Sequence, residues 1–367
     1  MEIIDLGLGY PAETLLPLEE LRQAALHRLA LPDRSLLQYA PEAGNASFRQ
    51  TLADFLTRVY GVPVSMENLL VAAGASHALD LILCQLSQPG DTIFVEDPTY
   101  FCALDMLRDR RLRIVPIATD HDGLNIDALE RQLQVERPKF LYTIPVFQNP
   151  TGTILPTERR QRLVEMAQRY NFLIIADEVY QLLGERATIP PPLATFDEQR
   201  VLSLGSFSKI LGPGIRVGWV QCTPELIANF RTNGLLLSGG GMNPFTAAIV
   251  ESALELGLQD AYLPRLRQHY ALRRELMTQA LVEVLPSGAT FLAPSGGFFV
   301  WVELPAGIDA TELSKAALTL GLGFRPGALF SGTGNFTNCL RLCFAFYDHT
   351  ALRLGCERLG TLLHRYL

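Results

Sequence analysis

The sequence predicts an α/β fold: a mostly parallel sheet between two layers of helices, with a smaller α+β domain after it. Three observations carry that prediction. From Leu69 to Ala176, short apolar runs alternate with helix-length segments across turns rich in Gly, Pro and Asp. The runs Leu69–Ala73, Phe140–Ile144 and Phe172–Ala176 are apolar throughout rather than at every second position. Continuous runs belong to strands covered on both faces. After Trp219 the texture changes to longer helices and a few short, alternating runs.

Taken in order, residues 1–17 are extended and punctuated by Gly7, Gly9, Pro11 and Pro17. A helix over about Leu18–Ala30 is stopped by Pro32-Asp33. The loop Leu37–Gly44 leads to a second helix with Asn45 as its N-cap. Phe48, Leu52, Phe55, Leu56 and Val59 form its apolar stripe, and Gly61 ends it. Strand and helix then alternate: strand Leu69–Ala73, helix Ser76–Leu86, strand Ile93–Val95, helix Thr99–Arg108, strand Arg113–Pro116, helix Ile126–Val135. Strand Phe140–Ile144, helix Thr157–Tyr170, strand Phe172–Ala176 and strand Val201–Leu204 complete the series. A helix near Pro224–Arg231, a glycine-rich loop Ser238–Gly241, a helix from Asn243 and a long helix Ala261–Val284 follow. The tail holds strands at Thr290–Leu292, Phe298–Val302 and Leu340–Phe344, with helices from Thr311 and His349. The expected division is an arm and part of the small domain over 1–40, a large ligand-binding domain over 41–255 and a small carboxyl-terminal domain over 256–367.

Composition narrows the class. The chain has 367 residues, 48% of them apolar, and a formal net charge of −7, which suits a globular protein with a large core. There is no basic tract to meet a nucleic acid, so no nucleic-acid partner is expected. No apolar run reaches the ~20 residues of a membrane helix, and Met1–Asp5 does not read as a signal peptide. The six cysteines show no metal-binding spacing; Cys339 and Cys343 share one apolar run and read as buried thiols, so no metal is expected. Free thiols place the chain in the reducing cytoplasm.

In a sheet of this kind a ligand sits outside the carboxyl ends of the strands. Five segments there carry chemistry. Gly74-Ala75-Ser76 joins a strand to a helix, and the free N–H groups of the helix start can bind a phosphate, though glycine turns are common. Glu96-Asp97-Pro98-Thr99-Tyr100 brings an aromatic ring to the edge, where a flat ligand can stack or where it simply packs. Asn149-Pro150-Thr151-Gly152 is either a plain turn or a way to present an amide. Asp177 ends the most apolar strand; a buried aspartate demands a partner, either a structural cation or a ligand. Glu178 beside it reads as solvated. Last, Ser206-Phe207-Ser208-Lys209 is followed by Gly212-Pro213-Gly214 and Arg216. Hydroxyls and a guanidinium around one lysine suit a phosphate held beside an amine, and a desolvated lysine near other cations becomes a nucleophile toward carbonyls.

Together these motifs resemble the class I/II aminotransferases, pyridoxal-phosphate enzymes of fold type I. The resemblance runs from Leu37-Gln38-Tyr39 to Cys339-Leu340-Arg341 and is strongest toward the branch of 2-aminoadipate aminotransferases and the aminotransferase-like domains of MocR regulators. It implies pyridoxal 5′-phosphate as cofactor and an L-amino acid and a 2-oxo acid as substrates. It further implies that Lys209 forms the Schiff base and shuttles the proton, that Asp177 pairs with the pyridine nitrogen, and that Tyr100 stacks on the ring. Asn149 and Tyr180 are implied at the phenolic oxygen. Ala75 and Ser76 (through their N–H groups), Ser206, Ser208 and Arg216 are implied at the phosphate, and Arg341 at the substrate α-carboxylate, with Asn149 also beside the substrate. Tyr39 matches a residue that reaches the phosphate of a second subunit, which implies a homodimer. Phe324-Arg325-Pro326-Gly327 and Phe330 resemble the turn before the last strand. Ala75-Ser76-His77 departs from the family's usual Ser/Thr-Gln pair, and no winged-helix segment precedes the domain in this sequence. The same motifs serve lyases and decarboxylases, and a ligand-sensing module is the reading from another class; turnover with release of a 2-oxo acid separates the three.

Overall fold

The computed structural model describes residues 3–366. Eight strands form the central sheet. In spatial order they are Leu69–Ala72, Gly218–Gln221, Val201–Ser206, Leu173–Asp177, Phe140–Thr143, Thr92–Asp97, Arg113–Asp120 and Gly123–Leu124. Only Gly218–Gln221 and Gly123–Leu124 run against the rest. The sheet is therefore mostly parallel, as expected.

The continuous apolar runs have a physical cause. Side chains alternate across a strand, and here both faces are covered. Ile93, Val95, Phe140, Tyr142, Ile175, Leu202 and Leu204 join the larger core on one face. Phe94, Leu141, Ile174, Ala176 and Val201 join a second core on the other, under the helices Ile126–Val135 and Thr157–Tyr170. Burying each such Leu, Ile or Phe is worth about 1.5–3 kcal/mol, so a polar residue at any of these positions would need its own partner.

A second, four-stranded sheet is built from Thr290–Phe291, Phe299–Glu303, Cys339–Cys343 and Arg325–Pro326. It packs with the long helix Leu258–Val284 and the last helix, His349–Tyr366. The segment expected to be merely extended at the start pairs instead: Ile4–Asp5 lies parallel to Leu322–Gly323, tying the amino end of the chain to the carboxyl-terminal sheet region. That pairing spans more than 300 residues, beyond the reach of local pattern.

Helix boundaries largely follow the caps. Leu18–Ala30, Ile126–Val135 and Thr157–Tyr170 lie where expected. Helix Ala46–Tyr60 starts after Asn45, but the Asn45 side chain makes no capping bond; Gly61 ends it in the left-handed conformation. Part of the glycine-rich loop is helical, Gly234–Gly239, because Asn233 caps its first turn through Leu235 N–H. All six cysteines are free, with Cys84 exposed, Cys102 half-buried and the other four buried. Among the described residues, no helix is long and apolar enough to cross a membrane.

Candidate active site

Because Leu69–Ala72, Thr92–Asp97, Phe140–Thr143, Leu173–Asp177 and Val201–Ser206 point the same way, their carboxyl ends share one edge of the sheet. A cavity of about 340 Å³ opens there. Its walls include Ala75, Ser76, Tyr100, Asn149, Asp177, Tyr180, Ser206, Ser208, Lys209, Arg216 and Arg341. Every expected site residue but one lies in this wall. The exception, Tyr39, is 81% exposed on the surface, with Ala40 beside it bridged to Gly241.

One end of the cavity is an array of donors. The helix Ala75–Leu86 begins there, so the amides of Ala75 and Ser76 have no intrahelical acceptor, and the helix dipole adds positive potential. Gly74 enables the turn: its φ is +88°, and a Cβ would lie 2.6 Å from Arg216 Nη2. Arg216 donates from Nη2 to Ala73 O at 2.7 Å and from Nη1 to Ser208 Oγ at 3.4 Å. Ser206 Oγ accepts from Ser208 N–H at 3.1 Å and lies 3.0 Å from Ser208 Oγ. His77 stands just behind, its Nδ1 accepting from Ala73 N–H at 3.3 Å; burial holds its pKa below the usual range.

The middle holds the lysine and the aspartate. Burial is the main reason the Lys209 amine is pushed down to about 8, with the Arg341 charge acting in the same direction. Its Nζ donates to Gly9 O at 2.8 Å and stands 5.3 Å from the Phe298 ring centre. Asp177 is buried, which raises its pKa; Tyr142 O–H, donating to Oδ2 at 2.7 Å, offsets part of that rise. Its other oxygen, Oδ1, is buried with no hydrogen-bond partner. A buried carboxylate oxygen left open is costly and marks a place where a donor is missing.

The third part is a cationic wall. Arg341, in the middle of the strand Cys339–Cys343, donates from Nη1 to Asn149 Oδ1 at 2.9 Å and from Nη2 to Gly7 O at 2.8 Å. Its guanidinium carbon stands 4.0 Å from the centre of the Phe299 ring, and Nε has no partner. Burial, more than any neighbour, lowers its pKa to about 10. No carboxylate of the described residues pairs with it.

Glu178 is not solvated, contrary to expectation. It is 3% exposed and accepts from Leu193 N–H at 2.8 Å and from Ser203 O–H, with Arg160 Nη1 at 3.8 Å. Arg160 in turn donates to the carbonyls of Leu155, Pro191 and Pro145. A second buried carboxylate, Glu96, holds the turn that carries Asn149. It accepts from Thr143 O–H at 2.5 Å, Ile144 N–H at 3.1 Å and Gln148 Nε2 at 3.1 Å, and burial raises its pKa to about 7.

Several further residues line the wall, and four of them bear on the chemistry. Tyr142 sits inside an apolar strand, where its only sequence signal was a hydroxyl in a run that should have none. Gly7 and Gly9 contribute carbonyls from an arm some 200 to 330 residues away. Arg325 belonged to a turn motif and gave no sign of facing a cavity.

Comparison with known proteins agrees with this geometry. Residues 2–359 match the family "Aminotransferase class I and II". The chain is 35% identical over 365 residues to aromatic-amino-acid aminotransferase 1 of Thermococcus litoralis, covering 98% of this chain and 87% of the relative. The kynurenine aminotransferase of Pyrococcus horikoshii, solved with PMP, superposes with a TM-score of 0.94 at 32% identity, over 100% of this chain and 92% of that one. The α-aminoadipate aminotransferase of Thermus thermophilus, solved with a phosphopyridoxyl-leucine adduct, gives 0.90 at 33% identity, over 99% and 92%. The chain belongs to the class I and II aminotransferase family and is an aminotransferase, and that membership implies a pyridoxal phosphate cofactor.

Proposed function

We propose that the cavity binds pyridoxal 5′-phosphate and that the enzyme moves an amino group between an L-amino acid and a 2-oxo acid through Lys209, Asp177 and Arg341. The observation that carries this reading is their convergence in one cavity, with Asp177 Oδ1 buried and unpartnered. The residues fit the cofactor. A protonated ring nitrogen would supply the donor that Oδ1 lacks. The amides of Ala75 and Ser76, the hydroxyls of Ser206 and Ser208 and the Arg216 guanidinium would hold the phosphate. Tyr100 would stack on the ring, and Asn149 and Tyr180 would bond its phenolic oxygen.

When bound, the cofactor supplies a carbonyl for the amine and a ring that accepts the electron pair released at the substrate Cα. The chain supplies the rest. Lys209, whose pKa burial lowers to about 8, has a neutral fraction at physiological pH and would carry the proton between the substrate Cα and C4′ of the cofactor. Arg341 grips the α-carboxylate, which sets which bond at Cα stands ready to break. Tyr142 fixes the Asp177 carboxylate by its 2.7 Å bond, so that the open oxygen keeps its aim. The aromatic walls Phe298 and Phe299 keep water from the lysine and the arginine.

Further elements of the reading concern assembly and organisation. Tyr39, exposed in one protomer, would reach the phosphate of a second, making a homodimer with two shared sites. Residues 1–40, 41–255 and 256–367 would act as arm, large domain and small domain, in the cytoplasm.

A half-reaction tests the reaction type. Given an amino donor and no acceptor, the holoenzyme should release one equivalent of 2-oxo acid per active site and then stop. Release of carbon dioxide, or of ammonia with an eliminated side chain, would overturn the assignment.

A further inference from the structure

We infer that Arg325 receives the side-chain carboxylate of the substrate, so that the enzyme prefers acidic amino acids and dicarboxylic 2-oxo acids. The inference rests on the reading that Arg341 holds the α-carboxylate. Arg325 and Arg341 are directly opposed in the antiparallel pair of strands Arg325–Pro326 and Cys339–Cys343. Directly opposed residues project from the same face of a sheet with their Cβ atoms about 5 Å apart, and like charges placed so are destabilising. Both arginines line the cavity, and, after burial, the Arg325 charge is one of the causes that lower the pKa of Arg341.

Among the described residues, Arg341 has no carboxylate partner, and Arg325 has only one long ion pair. Arg341 bonds only an amide oxygen and a backbone carbonyl. Among the described residues, none accepts a hydrogen bond from the Arg325 guanidinium. Its nearest carboxylate, Asp5, is 3.7 Å away, and Asp5 Oδ1 already accepts from Gly7 N–H at 2.8 Å. A half-exposed pair at that distance adds little stability. Gly7 lies between the two arginines. Its carbonyl meets Arg341, and a Cβ on it would stand 3.1 to 3.2 Å from the Arg325 side chain. The arginine therefore runs over the glycine toward the cavity.

The depths differ in a useful way. Arg341 is 2% exposed, while the Arg325 side chain is 36% exposed. A ligand with two carboxylates can place one in the deep site and one nearer the mouth, each against a planar fork of donors that matches it. A substrate with an apolar side chain leaves the outer guanidinium in solvent and gains nothing from it.

The test compares donors on the holoenzyme. In the wild type, glutamate and 2-aminoadipate should exceed alanine in kcat/KM. Arg325→Gln should lower kcat/KM for the acidic donors about 10- to 100-fold, mainly through KM, with less than about threefold change for alanine and phenylalanine. Glutarate should bind the wild type more tightly than butyrate in calorimetry, and Arg325→Gln should erase that difference. Asp5→Asn, which breaks the ion pair and keeps the arginine, should leave acidic donors unimpaired. An equal loss on every donor, no loss on acidic ones, or the same defect in Asp5→Asn would overturn the inference and leave Arg325 a structural residue. Failure of the underlying reading looks different: Arg341→Ala would then spare alanine and phenylalanine, whereas it should impair every donor alike.

Discussion

Asp177 and Glu178 are neighbours at the end of one buried strand, and nothing in their side chains foretells how differently they are treated. Glu178 faces away from the cavity into a closed network in which both of its oxygens are occupied and a buried guanidinium lies 3.8 Å away. Asp177 faces the cavity with one oxygen held by Tyr142 and the other left open. The same contrast separates two arginines: Arg160 spends its donors on three carbonyls, while Arg341 keeps Nε unpaired beside an aromatic ring. Burial alone thus does not separate these pairs; they differ in how completely their hydrogen bonds are made, and the two left open are the ones proposed to meet ligand.

Substitutions can break that contrast. The largest effect should come from the closed side: Glu178→Gln leaves Arg160 buried without its counter-charge and should cost about 3–5 kcal/mol of stability, read by chemical denaturation. Turnover per folded molecule should stay near wild type. A variant as stable as the parent would show that the network contributes no structural role.

On the open side the ledger reverses. Asp177→Asn should lower kcat by about 10²-fold or more, the scale of a lost proton-transfer group, with unfolding midpoints unchanged or raised because a buried charge has gone. Undiminished turnover would remove Asp177 from the mechanism.

Glu96 is the intermediate case, bonded by three donors yet with its pKa raised by burial from 4.5 to about 7. Because the folded state holds this proton more tightly than the unfolded chain, its contribution is greatest below pH 4.5 and is lost as pH rises through 7. The slope should reach at most about 1.4 kcal/mol per pH unit. Glu96→Gln should flatten the stability profile over that window, measured by denaturation at a series of pH values; an unchanged profile would place the ionisation elsewhere.

These contrasts also explain what could be read from the sequence. The strand ends were legible because turn chemistry and polar residues interrupt apolar runs there, and so Lys209, Asp177, Asn149 and Arg216 stood out. Arg341 stood out as a charge inside a strand. Glu178 was misread because a carboxylate after a strand usually reaches solvent, and its partners Arg160 and Ser203 lie 18 and 25 residues away on other elements. Tyr142 was passed over because an aromatic in an apolar strand looks like core, and only the opposing Asp177 gives its hydroxyl a purpose. The arm was invisible for a different reason: Gly7 and Gly9 act through their carbonyls, which every residue has. The pairing of Ile4–Asp5 with Leu322–Gly323 and the bond from Cys343 N–H to Leu6 O hold them at the site.

Those two carbonyls have a thermodynamic consequence. Lys209 and Arg341 each rest on a neutral backbone oxygen. An anion that takes Arg341 Nη2 displaces the Gly7 carbonyl, and at that nitrogen only the difference between a charge-assisted and a neutral hydrogen bond, on the order of 1 kcal/mol, is left to favour it. On the proposed reading the arm is a built-in competitor at Arg341: it keeps that buried cation hydrogen-bonded when no anion is bound and, by the same amount, weakens the hold on whatever leaves.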